Sequence, residues 1–474
     1  MRVARRHAGW IALALVVAGA TWLRLGLIAA GPDPDIDGYA HLQIAHRLAR
    51  EWRDLRIHWV WLPLWQLVDF VIASLGGGLR AVRLFSVACA AASSFALALV
   101  VRDGLAARPA TSPWLAEAET VMPFAAGAAH ALWPQNLSAG ASAEPEAFFQ
   151  LLVLATLAAW QRRRYAGAAA ALSLAALLRY EAWPLLPVFL AMSLREEKRA
   201  QSALVWLAPG VAVAAWVALH RASTGAWCWF LRENRAYVAG VWREFGFATR
   251  PLEKLAHPWV WYPYTVPFLS VRAWLWLAVP GLPWFVVRAP RALAVVMGSL
   301  LALITLVWVA RNNLGLERHF TVVIPAYATM LAAGVAVPVA ALAWSLSRAR
   351  ADLTRAAVIV ALVLAGAGFA KARTRKRAML LRGHAEAAFV VERRVAAALR
   401  AHLGASARVF TSDATVEGLT DLDGSRFVRW RARDLRDAHL RAGDLVVAAP
   451  DDAAHLRAME PVAREGALVV LRRR

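Results

Sequence analysis

Cysteine is almost absent: there are two in 474 residues, Cys89 inside an apolar run and Cys228 between Trp227 and Trp229. That excludes a disulfide framework and a cysteine metal centre. Acid is scarce beside base, with 32 Asp plus Glu against 54 Lys plus Arg and a formal charge of +22. Such a charge could serve nucleic acid. Here, however, the basic residues cluster between apolar runs and no nucleic-acid motif accompanies them, so no nucleic-acid partner is expected. A P-loop, a GxSxG elbow, an HExxH helix and a Rossmann fingerprint are all missing from any context that would suit them. No internal repeat or low-complexity linker stands out.

Apolar residues are abundant, at 60% with 23 Trp. A soluble chain is nearer half apolar, so lipid is the solvent for most of this one. Arg2, Arg5 and Arg6 precede the apolar stretch Gly9 to Ala30. That stretch is too long for a cleaved signal and reads as a retained first helix. Further runs lie near 83–101, 120–137, 147–160, 165–180, 182–194, 202–220, 265–287, 292–310, 320–344 and 354–370. The expected fold is mainly α, a polytopic helical membrane domain of about 11 spans, in the range of about 10–13. The tryptophans suit an interfacial belt.

Residues 61–79 could span or lie in the interface. If they do not span, Arg2/Arg5/Arg6, Arg102/Arg108, Arg162/Arg163/Arg164, Arg195/Lys198/Arg199, Arg288/Arg291 and Arg348/Arg350/Arg355 all face the cytoplasm, as the positive-inside rule asks. If they do span, Arg162–Arg164 moves outside. The first arrangement is preferred. It divides the chain into a membrane domain, 1–370, whose first outer loop, 31–82, carries interfacial helices, and an extracytoplasmic domain, 371–474. The tail alternates a helical stretch, Glu386–Leu403, with strand-like runs at Arg408–Thr411, Leu445–Ala448 and Ala467–Leu471, which predicts a small α/β domain. The N-terminus is expected in the cytoplasm and the whole in the inner (plasma) membrane.

On this topology the loops 31–60, Ser138–Glu146, 221–264 and Arg311–His319 share the outer face, and four polar motifs lie on that side. The first is Asp33-Pro34-Asp35-Ile36-Asp37-Gly38-Tyr39. Asp37 stands where a helix N-cap would stand, ahead of Gly38–Trp52. Leu42, Ala45, Ala49 and Trp52 would turn one face of that helix to the interface. A capping carboxylate beside solvated acids is the plain alternative, yet three aspartates in five residues repel one another unless a cation or a reaction uses them. The second is Ser142-Ala143-Glu144-Pro145-Glu146, before an apolar helix, where the helix dipole alone could explain the acids. With Asp37, Glu144 and Glu146 form a candidate oxygen-ligand set for Mg²⁺ or Mn²⁺. The third and fourth are Arg179-Tyr180-Glu181 and Glu317-Arg318-His319-Phe320. Ionisable residues at membrane depth tend to be functional, and Arg suits phosphate. A lipid-facing Arg318 and a self-satisfied Arg179–Glu181 pair are the alternatives. His41 and His46, five apart, do not share a helix face as zinc ligands would.

As an ordered set these motifs resemble the GT-C superfamily of membrane glycosyltransferases over roughly the first three quarters of the chain. Asp37-Gly38-Tyr39-Ala40-His41-Leu42 is similar to the first-loop motif of oligosaccharyltransferase catalytic subunits, and Ser142–Glu146 to their second acidic motif. Trp61-Leu62-Pro63-Leu64-Trp65 and Arg318-His319-Phe320 look more like the protein mannosyltransferase and aminoarabinose transferase branch. The Trp-Trp-Asp motif of oligosaccharyltransferases is absent from the tail.

The resemblance implies transfer of a sugar from a polyprenyl-phosphate donor to a hydroxyl of a glycan, lipid or protein acceptor, with inversion. Asp37, or next Asp35, would be the base. Arg318, His319 and Arg179 would hold the donor phosphate, and Tyr39, His41 and Glu181 would support them. En bloc glycan transfer from a lipid pyrophosphate is the first alternative. A lipid-glycan flippase is the second, and it would need charges buried within spans, of which the sequence suggests few.

Overall fold

The computed structural model describes residues 2–346 apart from positions 32, 34, 109, 196–202 and 245–256. It then describes 366–379, and 390–474 apart from 412–413, 421–425, 429–434, 437–438, 450–453 and 467. The first helices are α1 (Arg2–Ala29), α2 (Ile36–Glu51), α3 (Pro63–Ser74), α4 (Leu79–Ala106), α5 (Pro113–Leu132), α6 (Pro134–Ala139), α7 (Glu146–Gln161) and α8 (Tyr165–Leu178).

Among the described residues four helices are long and apolar enough to cross a membrane: His7–Ala29 of α1, α4, Arg291–Val309 and Glu317–Trp344. A fifth is added if Pro258–Ala278 and Gly281–Arg288, bent by 77°, make one broken span. This is a multi-pass chain, but fewer helices than expected pass that test. The apolar stretch 147–194 folds into α7, α8 and Leu185–Ser193, of 16, 14 and 9 residues. At 1.5 Å per residue the first two reach only about 24 Å and 21 Å. The expected span 354–370 lies outside the described residues up to position 365. The ambiguous 61–79 contains α3, whose 12 residues reach about 18 Å, too short to cross.

Three other expectations need correction. The apolar side of α2, with Leu42, Ile44, Ala45 and Leu48 buried, packs on α3 and on the helix Ala414–Thr420. Protein receives these four side chains, whereas Trp52, expected on the same face as Leu42 and Ala45, is exposed. The tryptophans do not form only a belt, because Trp65, Trp133, Trp206, Trp216, Trp261, Trp284 and Trp308 are buried. Charges also lie inside apolar helices: Arg24, Arg83 and Glu119 are buried. Each has a local partner, since Arg24 donates to the Ala131 carbonyl at 3.3 Å, Arg83 to the Ala141 carbonyl at 2.7 Å and Arg288 to Glu119 at 3.0 Å.

The tail holds a five-stranded mixed sheet in the order β2-β1-β3-β5-β4. Its strands are β1 (Val409–Phe410), β2 (Phe427–Val428), β3 (Leu445–Ala448), β4 (Met459–Glu465) and β5 (Leu468–Arg473). β1 runs parallel to β2 and β3, while β5 is antiparallel to β3 and β4. The helix Val390–His402 lays Val395 and Leu399 against Val409, Val447 and Val470. Three of the strands fall at the expected runs. Two residues are too few for β2 to announce itself, and Glu460, Arg464 and Glu465 mask β4.

Candidate active site

The acidic loop divides its aspartates between structure and chemistry. Asp33 is fully buried. It accepts the Ala143 N–H at 2.6 Å and the Asp35 N–H at 3.1 Å, with Arg83 Nε at 3.8 Å. Asp33 therefore ties the first loop to the second acidic motif. Burial raises its pKa against the pull of Arg83. Sequence reasoning missed Arg83 because it lies on an apolar helix far from either motif.

The cap of α2 is Asp35, not Asp37: its carboxylate accepts the Asp37 N–H at 3.2 Å. Asp37 sits in the first turn, where the helix dipole favours a negative charge. Gly38 follows because α2 presses on the second motif: a Cβ there would lie 2.9 Å from the Ala143 Cβ.

Arg318 gathers the cluster. Its Nη1 donates to Asp35 Oδ2 at 2.6 Å and its Nη2 to Asp37 Oδ2. Glu144 lies at 3.5 Å and Glu146 at 3.9 Å. Arg179 forms the second node: Nη1 donates to Glu146 at 2.6 Å, and Nη2 and Nε donate to Glu181 at 2.7 and 3.2 Å. His319 Nδ1 is 3.0 Å from Arg179 Nη2. Arg179 thus bridges two motifs instead of closing on Glu181 alone. Five carboxylates, Asp35, Asp37, Glu144, Glu146 and Glu181, share two guanidiniums here.

That imbalance calls for positive charge or protons. Glu144 Oε1 and Glu146 Oε2 are buried without a hydrogen-bond partner. Burial pushes the Glu144 pKa well up, opposed by Arg318 and reinforced by neighbouring carboxylates. Burial likewise raises Asp35, partly offset by Arg318. One oxygen each of Asp35, Asp37 and Glu144 lie within 4.8 Å of one another. An all-oxygen trio of this kind suits Mg²⁺ or Mn²⁺. Glu146 stands outside this trio: Arg179 holds its Oε1, while its Oε2 has no hydrogen-bond partner.

The supporting residues separate. His41 is buried and its Nδ1 is 2.9 Å from the Gln66 amide nitrogen, with its ring 4.4 Å from that of Trp61. Burial holds its pKa down at about 4, so the ring is neutral. Tyr39 is buried and turns to the tail: a Cβ on Gly418 would lie 2.4 Å from its Cδ1. His46 pairs with Glu417 at 3.0 Å, a structural contact that also binds α2 to the tail.

Asp33, Asp35, Glu144, Glu146 and Arg318 line a cavity of about 130 Å³. A second cavity, of about 280 Å³, adjoins it through Leu27, Gln135, Glu317 and Arg377, which line both.

No family model and no curated protein matches the sequence. Solved structures do. The chain superposes on ArnT from Cupriavidus metallidurans bound to undecaprenyl phosphate with a TM-score of 0.60 at 17% identity, covering 98% of each chain. Apo ArnT gives 0.54, also at 17% identity and 98% of each chain. The Archaeoglobus fulgidus oligosaccharyltransferase, tethered to an acceptor peptide containing an NVT sequon, gives 0.52 at 11% identity, over 88% of this chain and 63% of that one. The chain shares its fold with ArnT and, over a smaller part of that protein, with the oligosaccharyltransferase.

Proposed function

We propose that the protein is a membrane glycosyltransferase that moves a sugar from a polyprenyl-phosphate donor to an acceptor hydroxyl at the outer face of the inner membrane. The observation that carries this is the convergence of Asp35, Asp37 and Glu144 on Arg318, within a fold shared with a protein solved with undecaprenyl phosphate bound. The proposed topology keeps the N-terminus in the cytoplasm and puts 371–474 outside, with the membrane domain at 1–370.

Asp37 accepts the proton of the acceptor hydroxyl. The freed oxygen attacks the anomeric carbon, the bond to the lipid phosphate breaks, and single displacement inverts that centre. General-base help of this kind is worth about 10²–10⁴ in rate. Arg318 orients Asp37 and Asp35 and offsets their negative charge at the reacting centre. Arg179 and His319 hold Glu146 and Glu181 behind it. A divalent cation, where used, would be held by Asp35, Asp37 and Glu144 and would supply charge neutralisation. Burial of Glu144 and its orphaned oxygen also suit an acceptor hydroxyl as partner.

The monophosphate branch is favoured over en bloc transfer because the match extends over 98% of ArnT and only 63% of the oligosaccharyltransferase. Purified protein in nanodiscs, given polyprenyl-phosphate sugars and an outer-envelope lipid and glycan fraction, should consume donor. Equal activity of wild type and Asp37→Asn would overturn the assignment, and consumption of lipid-pyrophosphate glycans alone would select the other branch.

A further inference from the structure

The cations nearest the carboxylates are occupied. Arg318 contacts Asp35 and Asp37, and Arg179 contacts Glu146 and Glu181. A phosphate entering that cavity meets more acid than base. The larger, adjoining cavity has the opposite character. It is lined by Arg373, Lys376 and Arg377 of the helix at 366–379, with Leu27, Leu137 and Leu269 among its apolar walls. Positions 373, 376 and 377 are spaced i, i+3 and i+4, so the three cations share a face. Arg373 donates to the Leu269 carbonyl at 2.7 Å, which seats this helix on the cavity wall. Lys376 and Arg377 make no hydrogen bond or ion pair with a described residue.

The sequence around them needs an explanation. Lys371, Arg373, Arg375, Lys376 and Arg377 put five cations in seven residues. The proposed topology places them outside the membrane, against the positive-inside bias, so membrane orientation does not account for them. Anion recognition does. Arginine and lysine supply charge-assisted donors to phosphate oxygens, and the leucines supply a surface for the first carbons of an attached chain.

We infer that the cavity between α1, Leu269 and the helix at 366–379 is a docking site for a lipid-borne phosphate, with Lys376 and Arg377 as its principal ligands. This rests on the proposed transfer reaction and assigns its donor-binding residues. Arg377 lines both cavities, so a phosphate held here stands beside the carboxylates without displacing Arg318 from them. The attached sugar would then extend toward Asp37. Glu317, which lines both cavities as well, limits affinity for the released phosphate and favours turnover.

The test uses the full chain in nanodiscs and three probes: farnesyl phosphate, farnesol and inorganic phosphate. Farnesyl phosphate should bind the wild type, more weakly as salt rises. Lys376→Gln and Arg377→Gln should each weaken it about tenfold, a loss of about 1.4 kcal/mol, with thermal stability unchanged. Arg377→Lys should recover part of the loss. Unchanged affinity in both glutamine variants overturns this inference and leaves the proposed function standing. Equal affinity for farnesol removes the phosphate from recognition, and equally effective competition by inorganic phosphate removes the lipid. If the wild type binds no farnesyl phosphate, the inference and the donor class fail together. Loss of transfer in Asp37→Asn, with farnesyl phosphate binding retained, tests the base separately.

Discussion

Arg318 and Asp35, 283 positions apart, meet at 2.6 Å, and the same guanidinium reaches Asp37 with its other terminal nitrogen. One side chain from the start of a late span therefore fixes both carboxylates of the first loop. Replacing it leaves those carboxylates, with buried Glu144 and Glu146, short of charge. Removing one partner of a buried ion pair typically costs about 3–5 kcal/mol. Arg318 is partly exposed (25% of its side chain), so the lower end of that range is expected for Arg318→Ala. Arg318→Lys should keep the charge and lose the two-pronged geometry. Melting temperature and donor turnover, measured on both variants, separate the two contributions. A similar melting temperature for Arg318→Ala and wild type would contradict the charge argument.

Asp37→Asn should lower turnover by about 10²–10⁴ while donor affinity stays within about twofold. Single-turnover measurements with saturating donor check this. A comparable loss in Asp35→Asn, with Asp37→Asn active, would move the base two positions back, to the cap of α2.

Glu144 tests the cation. If Asp35, Asp37 and Glu144 hold Mn²⁺, the ion should raise the melting temperature and give a bound-ion resonance signal, and Glu144→Gln should abolish both. Because burial raises the Glu144 pKa, the neutral glutamine should cost little stability without metal at neutral pH. A Mn²⁺ response that survives Glu144→Gln places the ion elsewhere.

Stability should depend on pH through two opposing sets. His41 is held at about 4 against an ordinary 6.5, so between those values the unfolded chain binds a proton that the folded chain refuses. Its contribution is complete above pH 6.5 and is lost as pH falls toward 4, an effect on the order of 3 kcal/mol. Asp33, Asp35 and Glu144 have raised values. Their contribution is present below the ordinary carboxylate range and is lost as pH rises. His41→Gln should therefore lose less melting temperature than wild type between pH 7 and pH 5. A steeper loss in the variant would reverse the assignment.

The tail should report on the site. A Cβ at Gly418 would stand 2.4 Å from the Tyr39 ring, so Gly418→Val must push α2 or the helix Ala414–Thr420 aside. Overpacking costs typically about 1–3 kcal/mol. Turnover should fall as α2 shifts Asp37 relative to Arg318. A stable variant with full activity would show that the tail does not position the first loop.

The sequence by itself determined the membrane class, the helical body, the mixed helix-and-strand tail and the short list of acids and arginines. These are local signals, because apolar run length, clustered like charges and alternation are carried by neighbouring residues. Tertiary structure decided how that list divides. Asp33 left it because Ala143 and Arg83, 110 and 50 positions away along the chain, bury it. Asp35 took the cap from Asp37, Tyr39 turned to Gly418, and Arg179 joined Glu146 to Glu181. Spans that look alike in sequence proved unequal, since some helices stop after 14 or 16 residues. Each of these depends on partners brought together from distant parts of the chain, and spacing along a sequence carries no record of such distances.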